Sequence, residues 1–185
     1  MRVIAEARIL GVCTACGLCL FGCASGGIQE HRSSASTAIA SAELVSAEIS
    51  FDDSGRRSEE PEEYAKHPPG FYQLSLKKST QGAEYSAICT QGSPDGEKII
   101  DLQFTADAAA LAGLEQLIRA KNVAAVNGMS RVGTAVKGTT EFDAVYASGE
   151  EIHVFGAAVL RVISVFFLNF SAASMDSFQK RAQMR

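Results

Sequence analysis

Apolar residues recur at every second position along several stretches of this chain, the signature of strands with one buried face. Val45, Ala47, Ile49 and Phe51 form the first such stretch. Tyr72, Leu74 and Leu76 form the next, and a turn at Gln81-Gly82 leads into Tyr85, Ala87 and Cys89. Gly92-Ser93-Pro94-Asp95-Gly96 is a strong turn sequence, followed by Ile100, Leu102 and Phe104. Phe142, Ala144 and Tyr146 alternate later, and Ser148-Gly149-Glu150 turns the chain into a strand over 152–155. Connections this short suit antiparallel hairpins, not parallel crossovers.

The period changes once, at 108–121, where Leu111, Leu114, Leu117 and Ile118 fall at helical spacings suited to packing on a sheet. Thr105 is placed to cap this helix, Asp107 lies in its first turn, and Asn127-Gly128 ends the connection that follows. The pattern therefore predicts an α+β fold, an antiparallel meander sheet with one amphipathic helix packed on a face. Residues 157–170 (AAVLRVISVFFLNF) are almost wholly apolar. With Arg161 inside it, a buried helix or strand, or a surface for another subunit, suits this segment better than a membrane anchor.

Before the first strand the character is different. Residues 24–42 are rich in Ser, Ala and Gly without apolar periodicity and read as a flexible tether. Residues 52–69 break the strand pattern with charges and prolines and read as a long exposed loop. Its acidic run Glu59, Glu60, Glu62 and Glu63 has the composition of a solvated surface. The expected organisation is a leader over 1–22, a tether over 23–43 and a single domain over 44–185.

Four of the five cysteines, Cys13, Cys16, Cys19 and Cys23, crowd into the leader and its boundary. Residues 1–8 are net positive through Arg2, Arg8 and the amino terminus, against Glu6. Residues 9–22 carry no charge, and small residues follow Cys23. Fourteen residues in a helix reach only about 21 Å, short of a bilayer core of about 30 Å, but they fit the apolar core of an export signal. Leu20-Phe21-Gly22-Cys23 resembles the lipobox of bacterial lipoprotein signal peptides. That resemblance covers about the first 27 residues. It implies diacylglyceryl on Cys23, which becomes the first mature residue, and attachment to the extracytoplasmic face of a cell membrane. Phe21 is larger than the usual occupant of its position, and cysteines are unusual within the apolar core.

The same cysteines support an incompatible reading. Their C-x2-C-x2-C-x3-C spacing matches a bacterial ferredoxin run, and Cys13-Thr14-Ala15-Cys16-Gly17-Leu18-Cys19 resembles the cluster loop of those proteins. This implies a cytoplasmic electron-transfer protein holding one 4Fe-4S cluster on Cys13, Cys16, Cys19 and either Cys23 or Cys89. The run ends in Cys23-Ala24 instead of Cys-Pro, and no second run exists. The lipoprotein reading is therefore preferred, with no metal and no cofactor expected.

Composition bounds the remainder. A chain of 185 residues with 46% hydrophobic content is enough for one domain with a substantial core. Net charge is −4, and no Lys/Arg face is concentrated, which argues against nucleic acid as a partner. Loss of the leader would leave Cys89 as a lone thiol in a strand context, a buried structural residue. No phosphate-binding loop or H-E-x-x-H helix occurs, and 128–133 misses the spacing of a nucleophile elbow by one residue. His31, His67 and His153 fall in the tether, the loop and a strand. His153 is expected to face solvent or accept a hydrogen bond. The strands, helix and turns over 44–155 look generally like small domains of uncharacterised bacterial lipoproteins, which implies a fold class but no activity. The expected partners are a membrane, reached through the lipid, and a protein or small-molecule ligand bound without catalysis.

Overall fold

The computed structural model describes residues 29–41, 43–54, 67–132 and 140–183. Its strands are β1 (Gln29–Arg32), β2 (Leu44–Asp52), β3 (Phe71–Ser79), β4 (Gly82–Thr90), β5 (Lys98–Ala106), β6 (Met129–Val132), β7 (Thr140–Tyr146) and β8 (Glu151–Phe155). The helices are α1 (Ala109–Ala120) and α2 (Leu160–Gln183), and a 3-10 turn spans Val123–Val126. The strands form one eight-stranded sheet in the order β1-β6-β8-β7-β2-β3-β4-β5. Its ladders are antiparallel except for β6 beside β8, which meet in parallel at Ser130 and Phe155. The fold is α+β, with a mostly antiparallel sheet and helices on one face.

Register explains why alternation along the chain becomes a continuous core. Ile49 lies between Leu74 and Phe142, and the row continues through Ala87 and Leu102 on one side and Val154 on the other. Ala47 lies in a parallel row with Leu76, Tyr85 and Phe104, and with Ala144 and Ile152. Phe51, Tyr72, Cys89 and Ile100 form a third. Because side chains alternate with a period of two, a slip of one residue in any strand would turn its apolar set out to water.

One position departs from the expected alternation. The register of β2 against β7 shifts between Leu44 and Ser46, so Val45 is the extra residue of a bulge. Leu44 consequently shares the covered face with Ala47 and is 4% exposed, while Val45 is only half-buried. A bulge re-aims the residues before it without moving the rest of the strand.

On α1, Leu111, Leu114 and Ile118 are buried against the sheet, with Leu117 partly buried beside them. Asp107, not Thr105, caps the helix: its Oδ1 accepts the Ala109 N–H at 2.7 Å, whereas Thr105 is still in β5. The apolar segment over 157–170 forms the start of α2. Leu160, Ile163, Phe167 and Leu168 are buried at helical spacings, while Arg161 and Val162 stay exposed. Among the described residues, no helix is long and apolar enough to cross a membrane. Tyr85 ties α2 to the sheet, donating a hydrogen bond to the Phe167 carbonyl at 2.9 Å and sharing another with the Ser171 hydroxyl. Phe104, Phe167 and Phe170 pack around its ring, and burial drives the phenol pKa well upward.

Of the tether expected over 23–43, the described part pairs and bonds with the domain. Within it, Gln29–Arg32 pairs with β6 as an edge strand, and residues 33–41 run across the domain as a strap. Ser33 N–H donates to the Gly128 carbonyl at 2.9 Å, and Asn127 Nδ2 donates to the Ser36 carbonyl at 2.7 Å. Gly128 has φ +73°, and a β-carbon there would lie 2.1 Å from Ser33 Oγ. The expected Asn127-Gly128 turn is present, and its glycine also makes room for the strap.

Truncating Leu114, which is fully buried, is expected to cost about 2–5 kcal/mol. Tyr85→Phe keeps the ring but loses its hydrogen bonds, and is expected to cost about 1 kcal/mol. Urea unfolding followed by circular dichroism distinguishes these magnitudes. Equal effects from the two substitutions would contradict the packing described above.

Candidate functional site

Two places gather polar groups that the core does not use. The first is a cleft of about 360 Å³ beneath the strap, lined by Thr37, Ala38 and Ile39 on one side and by Ile118, Arg119, Asn122, Ala124 and Tyr146 on the other. Small-molecule sites are commonly apolar concavities of roughly 300–1,000 Å³ carrying a few fixed polar groups. Tyr146 ends β7, is 2% exposed and lines the cleft. Burial, reinforced by the Glu115 carboxylate, pushes the phenol pKa up to about 12, so it remains a donor at neutral pH.

Arg119 builds the adjacent wall. Its Nε donates to Glu115, one turn earlier on α1, and its Nη2 donates to the Ser41 carbonyl of the strap. A guanidinium carries five N–H donors, so these two bonds leave others directed elsewhere. Glu115 is itself buried, and its pairing with Arg119 accounts for a carboxylate on the covered face of α1. The far end of the strap is held by Glu150. Its carboxylate accepts the Ala40 N–H at 2.8 Å and the Ser41 N–H at 3.0 Å, and it also accepts the Ser148 hydroxyl. These hydrogen bonds, the one from Ala40 foremost, hold the Glu150 carboxyl below its ordinary 4.5.

The second place is on the opposite, uncovered face of the sheet. Asp143 on β7 stands directly across from His153 on β8, and Glu141 precedes Asp143 by one pleat. His153 Nδ1 is 2.6 Å from Asp143 Oδ1, and its Nε2 is 3.9 Å from Glu141 Oε1. One ligating atom from each of the three lies within 4.8 Å of the others. The expected solvent-facing His153 is exposed, and its ring is hydrogen-bonded to Asp143 with Glu141 nearby.

Cys13, Cys16, Cys19 and Cys23 lie outside the described residues, as does the acidic run at Glu59, Glu60, Glu62 and Glu63. Cys89 occupies the buried structural position its strand context predicts. It is 0% exposed, and a β-carbon added at Gly70 would lie 2.7 Å from its sulfur. His31 belongs to β1, where it is exposed, and His67 is buried instead of lying in the open loop expected. Asn127, seen in sequence only as a turn residue, is 2% exposed and holds the strap to β8. It donates to the Ser36 and Glu151 carbonyls and accepts the His153 N–H.

Strap docking depends on ionised Glu150, and the sign of its pH dependence follows from the lowered pKa. The contribution is fully present above the ordinary value of 4.5 and is lost as pH falls through the lower value of the docked state. The amide resonances of Ala40 and Ser41 are expected to move together over that range. Glu150→Gln should bring them toward the undocked positions already at neutral pH. An Ala40 amide indifferent to both changes would contradict the anchoring role of Glu150. No family model, curated protein or solved structure matches this chain.

Proposed function

We propose that the chain is a lipid-anchored extracytoplasmic lipoprotein whose domain binds a small molecule in the cleft beneath the strap. The observation that carries the binding role is the cleft itself, whose wall presents the Tyr146 phenol beside the Arg119 guanidinium. A protonated phenol in that position can donate a hydrogen bond to a ligand acceptor. Glu115 and Glu150 flank Arg119 and leave the surroundings without net positive charge. The ligand class that fits is a neutral, compact and largely apolar molecule with one carbonyl or ether acceptor.

The anchor reading rests on the lipobox-like Leu20-Phe21-Gly22-Cys23 after an uncharged apolar run. If Cys23 carries the lipid, Gln29 begins β1 only six residues later. Six residues span at most about 20 Å, so the domain would lie close against the bilayer instead of standing off on a long spacer.

Mass spectrometry of the natively expressed protein is expected to find an acylated N-terminus at Cys23, and Cys23→Ala should release the protein from the membrane fraction. An intact Met1 on a protein that turns brown on anaerobic iron and sulfide reconstitution would replace this reading with the 4Fe-4S cluster. For the cleft, ligand-observed NMR with small neutral ketones and lactams should give hits that perturb Ile118, Asn122 and Tyr146. Tyr146→Phe should weaken those hits by up to about tenfold, the equivalent of one hydrogen bond. Hits unaffected by that substitution would remove the phenol from the site.

A further inference from the structure

We infer that Glu141, Asp143 and His153 form a site for a divalent first-row metal ion on the uncovered face of the sheet, separate from the strap cleft. Carboxylates alone would be an ordinary solvated surface. What sets this group apart is an imidazole hydrogen-bonded through Nδ1 to one carboxylate, with its Nε2 3.9 Å from the other. Asp143 at 2.6 Å from Nδ1 acts as the acceptor that fixes ring orientation and tautomer. With the proton on Nδ1, the Nε2 lone pair is directed to the Glu141 side. A carboxylate holding the far nitrogen of a ligating histidine is a recurrent arrangement in metal sites, where it raises the basicity of the ligand.

The distances suit this division of roles. Two ligands each about 2.0–2.2 Å from one ion lie roughly 3–3.5 Å apart. Nε2 and Glu141 Oε1 are 3.9 Å apart, so a small rotation of the half-exposed Glu141 side chain closes the pair around an ion. Water completes the coordination, as the open face allows. The donor set selects the metal class: carboxylate and water suit Mn²⁺, while imidazole suits zinc, iron and nickel. Calcium and magnesium, which take oxygen ligands, are disfavoured.

The backbone beneath the site is rigid. Phe142, Ala144, Ile152 and Val154 alternate with Glu141, Asp143 and His153 and are at most 1% exposed on the covered face. The hairpin at Ser148-Gly149-Glu150 fixes the register that sets Asp143 opposite His153. Glu48 continues the same row from β2, and its carboxylate adds to the negative potential without entering the group.

The test uses the full chain and Mn²⁺, because a hard ion discriminates against the leader's thiolates and its paramagnetism reports where it binds. Broadening of backbone amides should centre on Glu141, Asp143 and His153. Both His153→Ala and Glu141→Gln should abolish it at the same Mn²⁺ concentration. Asp143→Asn should weaken it by about tenfold or more, the range seen when the group orienting a ligating histidine is removed. Zn²⁺ should compete for the same resonances, and Mg²⁺ at equal concentration should not. Broadening centred elsewhere, or unchanged in His153→Ala with its fold intact by circular dichroism, would overturn the assignment.

Discussion

Two helices must cover the inner face of a sheet far wider than they are. Eight strands spaced about 4.8 Å apart extend across some 35 Å, and each helix with its side chains covers roughly 10–12 Å. The helices are placed where the apolar rows are densest, with α1 against β2, β3 and β4 and α2 against β2 and β7. The flanks are handled in other ways. Ile100, Leu102 and Phe104 of β5 are only half-buried, β1 is wholly exposed, and the strap fills the corner between α1, the 3-10 turn and the end of β7. The strap cleft lies at that corner, where helical cover gives way to an extended segment.

The two faces of β7 and β8 show how one alternating pattern serves two environments. Phe142, Ala144, Ile152 and Val154 build the core, and the intervening Glu141, Asp143 and His153 gather on the open side. Asn127 connects the environments through the backbone. Its side chain grips the strap through the Ser36 carbonyl and holds β8 through the His153 N–H and the Glu151 carbonyl.

Much of the sheet was legible because buried strands must alternate, and six of them do so over at least four residues. The bulge at Val45 was not, because Leu44 and Val45 are both apolar and only the register against β7 decides which one faces inward. Nor was β1: Gln-Glu-His-Arg is polar throughout, and its strand conformation comes from pairing with β6. The strap was missed for a related reason. Its Ser/Ala-rich composition without apolar periodicity predicts flexibility, and it is held chiefly by side chains of distant residues bonding its backbone. Of the candidate sites, Tyr146 was visible as core but not as part of a cleft wall. The His153 group could have been found by counting outward from the Ser148-Gly149-Glu150 turn, since a hairpin brings residues equally distant from its turn together.

The strap bonds join residues separated in sequence by 78 to 110 positions. Arg119, Asn127 and Glu150 come into position only once α1, the 3-10 turn and the β7–β8 hairpin have formed. Closing so long a loop early would forfeit chain entropy with no contacts yet present to offset it. The strap therefore belongs to the final cooperative unit to assemble, and by the same logic to the first to open under native conditions. Its excursions would uncover the Tyr146 pocket without unfolding the sheet. Access to that pocket then becomes a matter of local opening kinetics, set by a few polar bonds instead of by the stability of the core.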